Sequence, residues 1–412
     1  MKYQDAKLDD LLGTLIDYRG KTPPKTGYGI PLITAKVIKG GHILDGNHEY
    51  IAEDYYDEWM RRGLPHQWDV LITTEAPLGE VAILKSSAKV ALAQRVILLR
   101  GDKEKINQRY LCFALQSPLV QARLNARATG ATVAGIKQSE LREVLLPVYQ
   151  VPTQRRIASI LSAYDDLIEN NTRRIAILEE MARRIYEEWF VRFRFPGHEQ
   201  VKMVESELGL IPEGWSWGRL RDIAADVRDS INPEATDPST PYVGLEHIPR
   251  RSIGLSDWGF ASEVQSTKLR FKSGDILFGK IRPYFHKVAV APISGVASSD
   301  AIVIRAKKSA WYSLVLATVS SDAFVAEATQ SANGTKMPRA NWNVLLDYKV
   351  PIPSATVLNK FNDFMSGVVG FIGTTTMKNR NLRATRDLLL PKLISGELDV
   401  SSLPEPEEGI TA

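Results

Sequence analysis

The chain has 412 residues and a net charge of +4 at pH 7, with 44% hydrophobic and 24% charged residues. Its length allows about two to three domains with cores of their own, and the weak positive charge is compatible with nucleic acid without identifying it. The single cysteine excludes a disulfide framework and a cysteine-rich zinc site, and the absence of an apolar signal core or spanning run predicts a cytoplasmic protein without a membrane segment.

The sequence contains an internal repeat. Two segments share a glycine turn, a hydrophobic run that ends in proline, and a long helical pattern. Gly130 and Pro147 of the first segment match Gly334 and Pro351 of the second, and each pair is 204 residues apart. Such a period is too long for a solenoid unit. It predicts a duplicated globular domain plus helix, and earlier landmarks agree: residues 8–11 with 220–223 and 68–71 with 274–277.

The first globular unit is predicted over residues 1–150. Short hydrophobic runs separated by Gly, Pro and Asp turns indicate strands. These runs cover residues 30–34, 70–74, 81–84, 91–99 and 144–148. A helical stretch over residues 107–127 follows the central strands, so the unit is predicted to mix strands and helices.

The region 151–195 has the strongest helical pattern of the chain. No glycine or proline occurs from 153 to 190, which at ~1.5 Å per residue corresponds to about 57 Å of helix. Apolar residues recur at three- and four-residue steps. Those that we assign to helix and partner contacts are Ile157, Tyr164, Leu178, Ile185 and Trp189. Asn171 lies on the same stripe and would fix the register of a paired helix at some cost in stability.

The second half repeats this layout. A Gly- and Pro-containing linker is predicted over 196–214, a second globular unit over 215–352, a second helical region over 353–400 and an acidic, disordered tail over 401–412. Helix and partner contacts are assigned here to Phe361, Phe364 and Leu382. Gly367, Gly370 and Gly373 weaken the intrinsic helicity, and they would permit the close approach of another helix.

These elements together predict an α/β fold class. Two α+β heads would be joined by two long antiparallel helices that pack as a coiled coil, with a pseudo-two-fold internal repeat. Two unlike heads on such a frame suggest a protein that holds a roughly two-fold object at two places.

No motif gives a positive sign of catalysis. Residues 274–281 nearly match a phosphate-binding loop, but Ile281 replaces the hydroxyl residue that would hold magnesium, and Pro283 follows where the helix should start. A methyltransferase quartet and a Glu-x-Lys nuclease triplet are both missing. Cys112 has no supporting motif and is predicted to be a small buried hydrophobe. No metal site is predicted.

Basic residues cluster in turns at predicted strand ends, where Lys and Arg suit phosphate neutralisation and the reading of base edges. Each one alone could be a solvated surface charge, and their recurrence in both units raises the case for DNA. We place Lys36 at the position that Arg250 and Arg251 occupy in the second unit. The complete set of predicted DNA contacts is Arg19, Lys21, Lys25, Lys36, Lys39, Arg250, Arg251, Lys280, Arg282, Lys336 and Arg339.

Several segments resemble the specificity subunit of type I restriction–modification enzymes. The helix-borne residues 152–190 (PTQRRIASIL onward) are similar to the central conserved region of that family, and 388–398 (LLLPKLISGEL) to its distal one. The heads show similarity at residues 17–41, 241–249, 274–292 (with GKIRPYF) and 298–304. The second helix departs from the family because it is rich in glycine and threonine and lacks a QRRIA-like entry.

The resemblance implies a non-catalytic subunit that binds double-stranded DNA. Each head would be a target recognition domain for one half of a split, asymmetric site, and the helix pair would set the unread spacer. Two methyltransferase subunits would dock on the helices to form an adenine-methylating complex, and two motor–endonuclease subunits would join to restrict DNA. This chain would hold no cofactor, since S-adenosylmethionine, ATP and Mg would be bound by the partner subunits.

Two other classes remain to be distinguished. A stand-alone nucleotide-dependent nuclease would require residues 274–280 to bind phosphate. A coiled-coil adaptor would bind proteins through its heads, and a strong salt dependence of binding to random duplex DNA would count against it.

Overall fold

The computed structural model describes residues 1–406 except 19, 21, 45, 47, 48 and 131. The chain divides into two compact units. The first unit contains Met1–Asp166 and Arg383–Ala412, and the second contains Leu167–Leu382. Each long helix therefore contributes residues to both units.

The first unit is built on eleven described strands and five short helices. The strands are β1 Gln4–Lys7, β2 Leu12–Asp17, β3 Ile30–Ile33, β4 Ile38–Lys39, β5 His42–Ile43, β6 Glu49–Ile51, β7 Val70–Thr74, β8 Leu78–Ile83, β9 Ala91–Leu92, β10 Val96–Gly101 and β11 Leu145–Val148. The helices are α1 Leu8–Leu11, α2 Tyr56–Trp59, α3 Gln108–Gln116, α4 Pro118–Ala126 and α5 Gln138–Arg142.

The central sheet of the first unit has the antiparallel order β2-β10-β7-β8. Both of its faces are buried, because Val70 and Ile72 pack into one core with α3 and α4, whereas Leu71 packs into another with the sheet β6-β3-β9. Burial on both faces explains why β7 is apolar at successive positions instead of alternating. β1 and β11 form a separate antiparallel pair.

The first long helix, α6, runs from Val151 to Tyr186, and a π-helical turn, Glu187–Val191, continues it.

The second unit repeats the design of the first. Its strands are β12 Met203–Ser206, β13 Gly209–Pro212, β14 Ser216–Arg219, β15 Ala224–Asp226, β16 Ser230–Ile231, β17 Pro241–Val243, β18 Gly259–Phe260, β19 Lys268–Phe271, β20 Ile276–Gly279, β21 Val288–Val290, β22 Gly295–Ala297, β23 Ala301–Ala306 and β24 Lys349–Ile352. Its short helices are α7 Leu220–Ile223, α8 Tyr312–Val319, α9 Asp322–Gln330 and α10 Trp342–Leu345, and the second long helix is α11 Ala355–Ser395.

The central sheet of the second unit has the order β15-β23-β20-β21, which matches that of the first unit strand for strand. Its faces are buried in the same alternation, since Ile276 and Phe278 enter one core and Leu277 the other. β14 and β24 pair as β1 and β11 do. The predicted duplication of an α+β unit is confirmed.

The two long helices pack against each other within each unit. In the second unit, Asn171 contacts Asn379 and the ring of Phe190 lies 4.7 Å from that of Phe361, so the helices run antiparallel. In the first unit, the guanidinium of Arg386 donates a 2.6 Å hydrogen bond to Asp165. The predicted pairing of residues 153–190 with 356–393 is confirmed.

Three predicted elements differ in detail. The stretch 107–127 forms two helices, because Ser117 caps α4 through the amide of Val120 and Pro118 begins a new helix. The run 91–99 is divided between β9, which pairs with β3, and β10, which pairs with β7. The predicted linker contains the hairpin of β12 and β13.

Candidate nucleic-acid interface

In the first unit, a polar rim forms where the chain crosses from β9 in one sheet to β10 in the other. The amide of Thr74, at the end of β7, donates a 3.0 Å hydrogen bond to the carbonyl of Arg95. Glu75 then forms a β-bridge with Gly135 in the glycine turn. We call these residues the first rim, and it consists of Thr74, Glu75, Ala76, Gln94, Arg95, Thr129 and Gly135.

A polar pocket of about 350 Å³ opens at the first rim. Inside it, Nε of Arg95 lies 2.8 Å from Oε1 of Glu75, and the two side chains are 47% and 44% exposed. Lys137 contributes a further positive charge to the lining. The pocket therefore offers donors and acceptors that are paired with each other yet open to solvent.

A second pocket of about 210 Å³ shares Gln94 and Arg95 with the first. Lys25 and Lys36, two of the predicted DNA contacts, line it, and their Nζ atoms lie 2.7 and 3.9 Å from carboxylate oxygens of Glu49. The remaining predicted contacts of this unit are Lys39, which is exposed at the end of β4, and Arg19 and Lys21, which lie outside the described residues.

The second unit has the corresponding rim after β20. The amide of Lys280 donates a 3.0 Å hydrogen bond to the carbonyl of Asp300, and Ile281 forms a β-bridge with Arg339. The amide of Ala340 donates to the carbonyl of Lys280 at 2.8 Å. We call these residues the second rim, and it consists of Lys280, Ile281, Arg282, Ser299, Asp300, Asn333 and Arg339.

Four of the predicted DNA contacts of the second unit meet at this rim. The amide of Arg282 donates to the carbonyl of Pro338 at 2.7 Å, and its guanidinium lies 3.4 Å from the carbonyl of Lys336. The Nζ of Lys280 donates to the carbonyl of Ser299. Arg339, 59% exposed, lies 3.7 Å from Asp300. Residues distant in sequence thus form one basic patch.

Arg250 and Arg251 point to different surroundings. The guanidinium of Arg250 lies 3.9 Å from the ring centroid of Phe285, and that of Arg282 lies 6.0 Å from the same ring, so Arg250 extends the patch of the second rim. Arg251 instead pairs with Asp322 at 2.7 Å and lines another cavity. Of the two arginines, Arg250 is the one beside the patch.

The prediction that Lys36 corresponds to Arg250 and Arg251 is wrong. Ile33 accepts a hydrogen bond from the chain after β9, and Val243 accepts the same bond from the chain after β22, so these two strand residues are equivalent. Three residues further on, Lys36 therefore matches Glu246. The loops after the two strands both contain basic residues, but the residue equivalent to Lys36 is an acid, Glu246.

The sequence reasoning missed Gln94, Arg95 and Lys137 in the first unit and Asp300 in the second. Arg95 lay inside a run that was read as one strand, and a strand interior does not suggest a ligand contact. The polar pair Gln94-Arg95 within the apolar run 91–99 was the available signal, because it marks the crossing between two sheets.

Arg251 lines a cavity of about 420 Å³ in the second unit. Glu179 of α6 is 8% exposed there, and it accepts hydrogen bonds from the hydroxyl of Ser252 at 2.7 Å and from the amide of Ile253 at 2.8 Å. Burial raises the pKa of Glu179 above its ordinary value, although these bonds oppose the shift. The carboxylate fastens the loop that carries Arg250 to the long helix.

The predicted helix contacts mostly face the interior of the chain. Ile157 is fully buried in a core of the first unit, and Phe361 is fully buried in a core of the second unit. Neither side chain can therefore contact a second protein, and we withdraw the prediction that these two residues bind a partner. Others are half-buried against a core of the second unit: Leu178, Ile185, Trp189 and Phe364. Tyr164, Asn171 and Leu382 are also half-buried.

Other candidate sites receive little support. Residues 276–279 form the central strand β20, not the loop of a nucleotide site. The thiol of Cys112 is buried, which raises its pKa to about 12. Within the described part of the chain, no group of three or more His, Cys, Asp and Glu side chains could hold a metal ion, and no helix is both long and apolar enough to cross a membrane.

Comparisons with known proteins agree on one family. Residues 2–180 match the type I restriction modification DNA specificity domain. The MjaIX specificity subunit of Methanocaldococcus jannaschii is 27% identical over 92% of this chain and 88% of its own length. The EcoDI specificity subunit of Escherichia coli is 24% identical over 67% of this chain and 65% of its own.

A solved structure shows the same fold. The type I restriction–modification S subunit of M. genitalium covers 95% of this chain and 96% of its own, with a TM-score of 0.61 at 16% identity. Fold and rims define a two-unit protein with basic, polar loops at equivalent strand ends. The chain is similar in sequence to the specificity subunits of type I restriction–modification enzymes.

Proposed function

We propose that this chain reads DNA sequence for a type I restriction–modification complex, with each unit reading one half of a bipartite, asymmetric site. The observation that carries the proposal is the duplicated frame. Two central sheets of the same strand order each end in a rim of basic and polar side chains, and the side chains of the two rims differ. Two unlike readers on one chain suit a target whose halves are unlike.

The chain itself has no catalytic role in this proposal. Two methyltransferase subunits supply adenine methylation with S-adenosylmethionine, and two motor–endonuclease subunits supply ATP- and Mg-dependent cleavage. The complex works on double-stranded DNA in the cytoplasm.

The docking surface for a methyltransferase subunit is the outer face of α6. Leu167, Ile177 and Met181 recur on this face at helical spacing and are 52%, 51% and 43% exposed. Large apolar side chains in such a row on a long helix are typical of a protein contact. They replace the buried residues of the inner stripe as the predicted partner contacts.

Modified-base sequencing of host DNA, with and without this chain, tests the reading function. The methylated motif should consist of two unlike halves separated by an unread spacer, and it should vanish without the chain. Replacing residues 1–150 by the corresponding head of another family member should alter one half only. A motif in which both halves change would refute the assignment of one unit to one half.

The spacer is tested by matched insertions. Four residues, about one helical turn, are added next to Asn171 in α6 and four next to Asn379 in α11, so that the helices keep their mutual register. The tolerated spacer should lengthen while both half-site sequences persist. An unchanged spacer would show that the helix pair does not set it.

A further inference from the structure

The two rims, we infer, are the base-reading clusters, and their specificity-determining residues are Glu75, Gln94 and Arg95 in the first unit and Arg282, Asp300 and Arg339 in the second. This inference rests on the proposed function and deepens it, because it names the atoms that would distinguish one base pair from another. The internal duplication supplies the argument, since it allows two versions of one site to be compared within a single chain.

The backbone frame is the same in both rims. β7 pairs with β10 in the register in which β20 pairs with β23, so Thr74 is equivalent to Lys280 and Arg95 to Asp300. The amide-to-carbonyl hydrogen bond that joins each of these pairs is 3.0 Å long in both units. In both rims, one isolated β-bridge closes the glycine turn on itself, and a second joins the turn to this point.

Beneath each rim lies a buried ion pair that is present at equivalent positions in both units, as expected of charges that stabilise the fold. Asp69 accepts hydrogen bonds of 2.7 and 2.6 Å from Arg100, and the equivalent Asp275 accepts bonds of 2.7 and 2.6 Å from Arg305. Both carboxylates are almost fully buried, 2% and 4% exposed. Charges that the fold requires have therefore been kept in both copies with the same geometry.

The charges of the rims have not been kept. Glu75 pairs with Arg95 across the first rim, whereas the equivalent residues of the second are Ile281 and Asp300. The base of the second rim is Arg339, which lies 3.7 Å from Asp300 and replaces Gly135. On an unchanged frame, the acid of the second rim stands where the first rim has its base, and the base of the second rim stands where the first rim has a glycine. Since the second unit folds without the Glu75–Arg95 pair, the fold does not demand that pair.

At the β-bridge between the strand end and the glycine turn, each rim presents one long charged side chain to solvent beside a smaller or buried partner. In the first rim, a Cβ built on Gly135 would lie 3.3 Å from the Cβ of Glu75, so the glycine leaves room for the glutamate. In the second rim, Ile281 is only 8% exposed and Arg339 is 59% exposed. The group presented to solvent is thus an acid in one unit and a base in the other.

The exposed groups are those that read base edges in the major groove. Arginine donates to the O6 and N7 acceptors of guanine, glutamine recognises adenine, and a carboxylate accepts from the N4 amine of cytosine. In the first rim the ion pair engages Nε of Arg95, and the terminal nitrogens can still donate to a guanine. Gln94, beside it in the same pocket, suits an adenine. The second rim offers Arg282 and Arg339 with Asp300, which suits guanine and cytosine.

The experiment compares the methylated motifs of complexes that contain the full-length chain or its variants. Arg95→Ala should make one base position in one half-site degenerate, with discrimination lost by about tenfold to a hundredfold, and leave the other half unchanged. Arg339→Ala should do the same in the opposite half. Lys103→Ala and Lys308→Ala are the matched controls, since each removes an exposed lysine beyond the end of β10 or β23 that is opposite to the rim. Both half-site sequences should persist in each control.

A charge exchange separates reading from folding. The double variant Glu75→Arg with Arg95→Glu keeps one acid and one base at the rim, so the ion pair and the net charge survive. If these side chains read bases, the motif of one half-site changes to a new sequence. A wild-type motif from this folded variant would overturn the assignment and leave the proposed function intact.

Two further outcomes are decisive. If Arg95→Ala abolishes methylation, binding competition among duplexes that differ at one base pair shows whether Arg95 contacts a base or a phosphate. Loss of discrimination at one base position supports base reading. Equal weakening of binding to all sequences indicates a phosphate contact and overturns the base-reading assignment. If the wild-type chain directs no sequence-specific methylation at all, the proposed function fails, and the base-reading assignment fails with it.

Discussion

The side-chain amide of Asn171 donates a 2.9 Å hydrogen bond to the side-chain oxygen of Asn379 on the facing helix. Asn379 is 2% exposed, and its own amide donates to the carbonyl of Ile168 at 3.3 Å and to the hydroxyl of Thr172 at 3.2 Å. Both donors of the buried amide are satisfied by α6. A polar layer of this kind selects one register, because any slip of the helices would leave buried groups unpaired.

Replacement of Asn379 by alanine should destabilise the chain by about 1–3 kcal/mol, since the partly buried amide of Asn171 loses its acceptor. The double variant Asn171→Leu with Asn379→Leu should recover most of that stability, because no polar group is then stranded. Denaturant unfolding of the full chain measures both. A double variant that is as unstable as the single one would show that the pair adds stability and not merely register.

The glycines of α11 offer a substitution that should stabilise the chain. A Cβ built on Gly370 of α11 meets nothing within 4 Å, and the same holds for Gly367 and Gly373. The expected close approach of a helix of this chain at these glycines is therefore not found among the described residues. Gly370→Ala should stabilise the chain by about 0.5–1 kcal/mol through helix propensity alone.

Gly295→Ala is the contrasting variant in the same unit. A Cβ there would lie 2.3 Å from the carbonyl oxygen of Pro241, and backbone cannot yield cheaply, so this variant should be destabilised. Thermal unfolding of the two variants should give shifts of opposite sign. A Gly370→Ala chain that unfolds earlier than wild type would contradict the open surroundings of that glycine.

The sequence predicted what depends on local patterns. The 3.6-residue periodicity of α6 and its polar Asn171 sufficed to predict a paired helix and its register contact, and the repeat of Gly130 in Gly334 revealed the duplication. These features are carried by residues near one another in sequence or by spacing alone.

The rims could be predicted only in part, because they depend on contacts between distant segments. Lys280 and Arg339 are 59 residues apart in sequence, and the frame of β-bridges and hydrogen bonds at the second rim brings them together. Arg95 was not predicted as a site residue, because hydrophobic periodicity does not show where the chain crosses from one sheet to another. The equivalence of Lys36 with Glu246 likewise follows from strand register, which loop length does not reveal.

The buried ion pair under each rim should be more important for stability than any surface pair. Asp69→Ala removes a 2%-exposed carboxylate that accepts from Arg100 and from the amide of His66 at 2.7 Å. Leaving the arginine uncompensated should cost about 3 kcal/mol. Asp5→Ala breaks the more exposed pair with Arg123 and should cost less than about 1 kcal/mol. Equal losses in urea unfolding would show that burial does not set the strength of these pairs.

His286 should make the stability of the chain depend on pH below neutrality. It is 6% exposed, its Nε2 donates to the carbonyl of Ser320 at 2.8 Å, and its Nδ1 lies 3.3 Å from Asp322. Burial lowers the pKa of His286 below its ordinary value of 6.5, and the charges of Arg251 and Arg183 act in the same direction, whereas the hydrogen bond to Ser320 and the charge of Asp322 oppose the shift. The unfolded chain then binds the proton more readily than the folded one, so the free energy of unfolding falls as pH drops from 6.5 towards the lowered pKa.

Denaturant unfolding at stepped pH measures this loss, whose slope cannot exceed about 1.4 kcal/mol per pH unit for one proton. His286→Asn should flatten the dependence, and asparagine tolerates the left-handed backbone, φ 51°, found there. Asp322→Asn should extend the loss to lower pH, because it removes the charge that favours the protonated ring. A profile of His286→Asn parallel to that of wild type would show that another group carries the pH dependence.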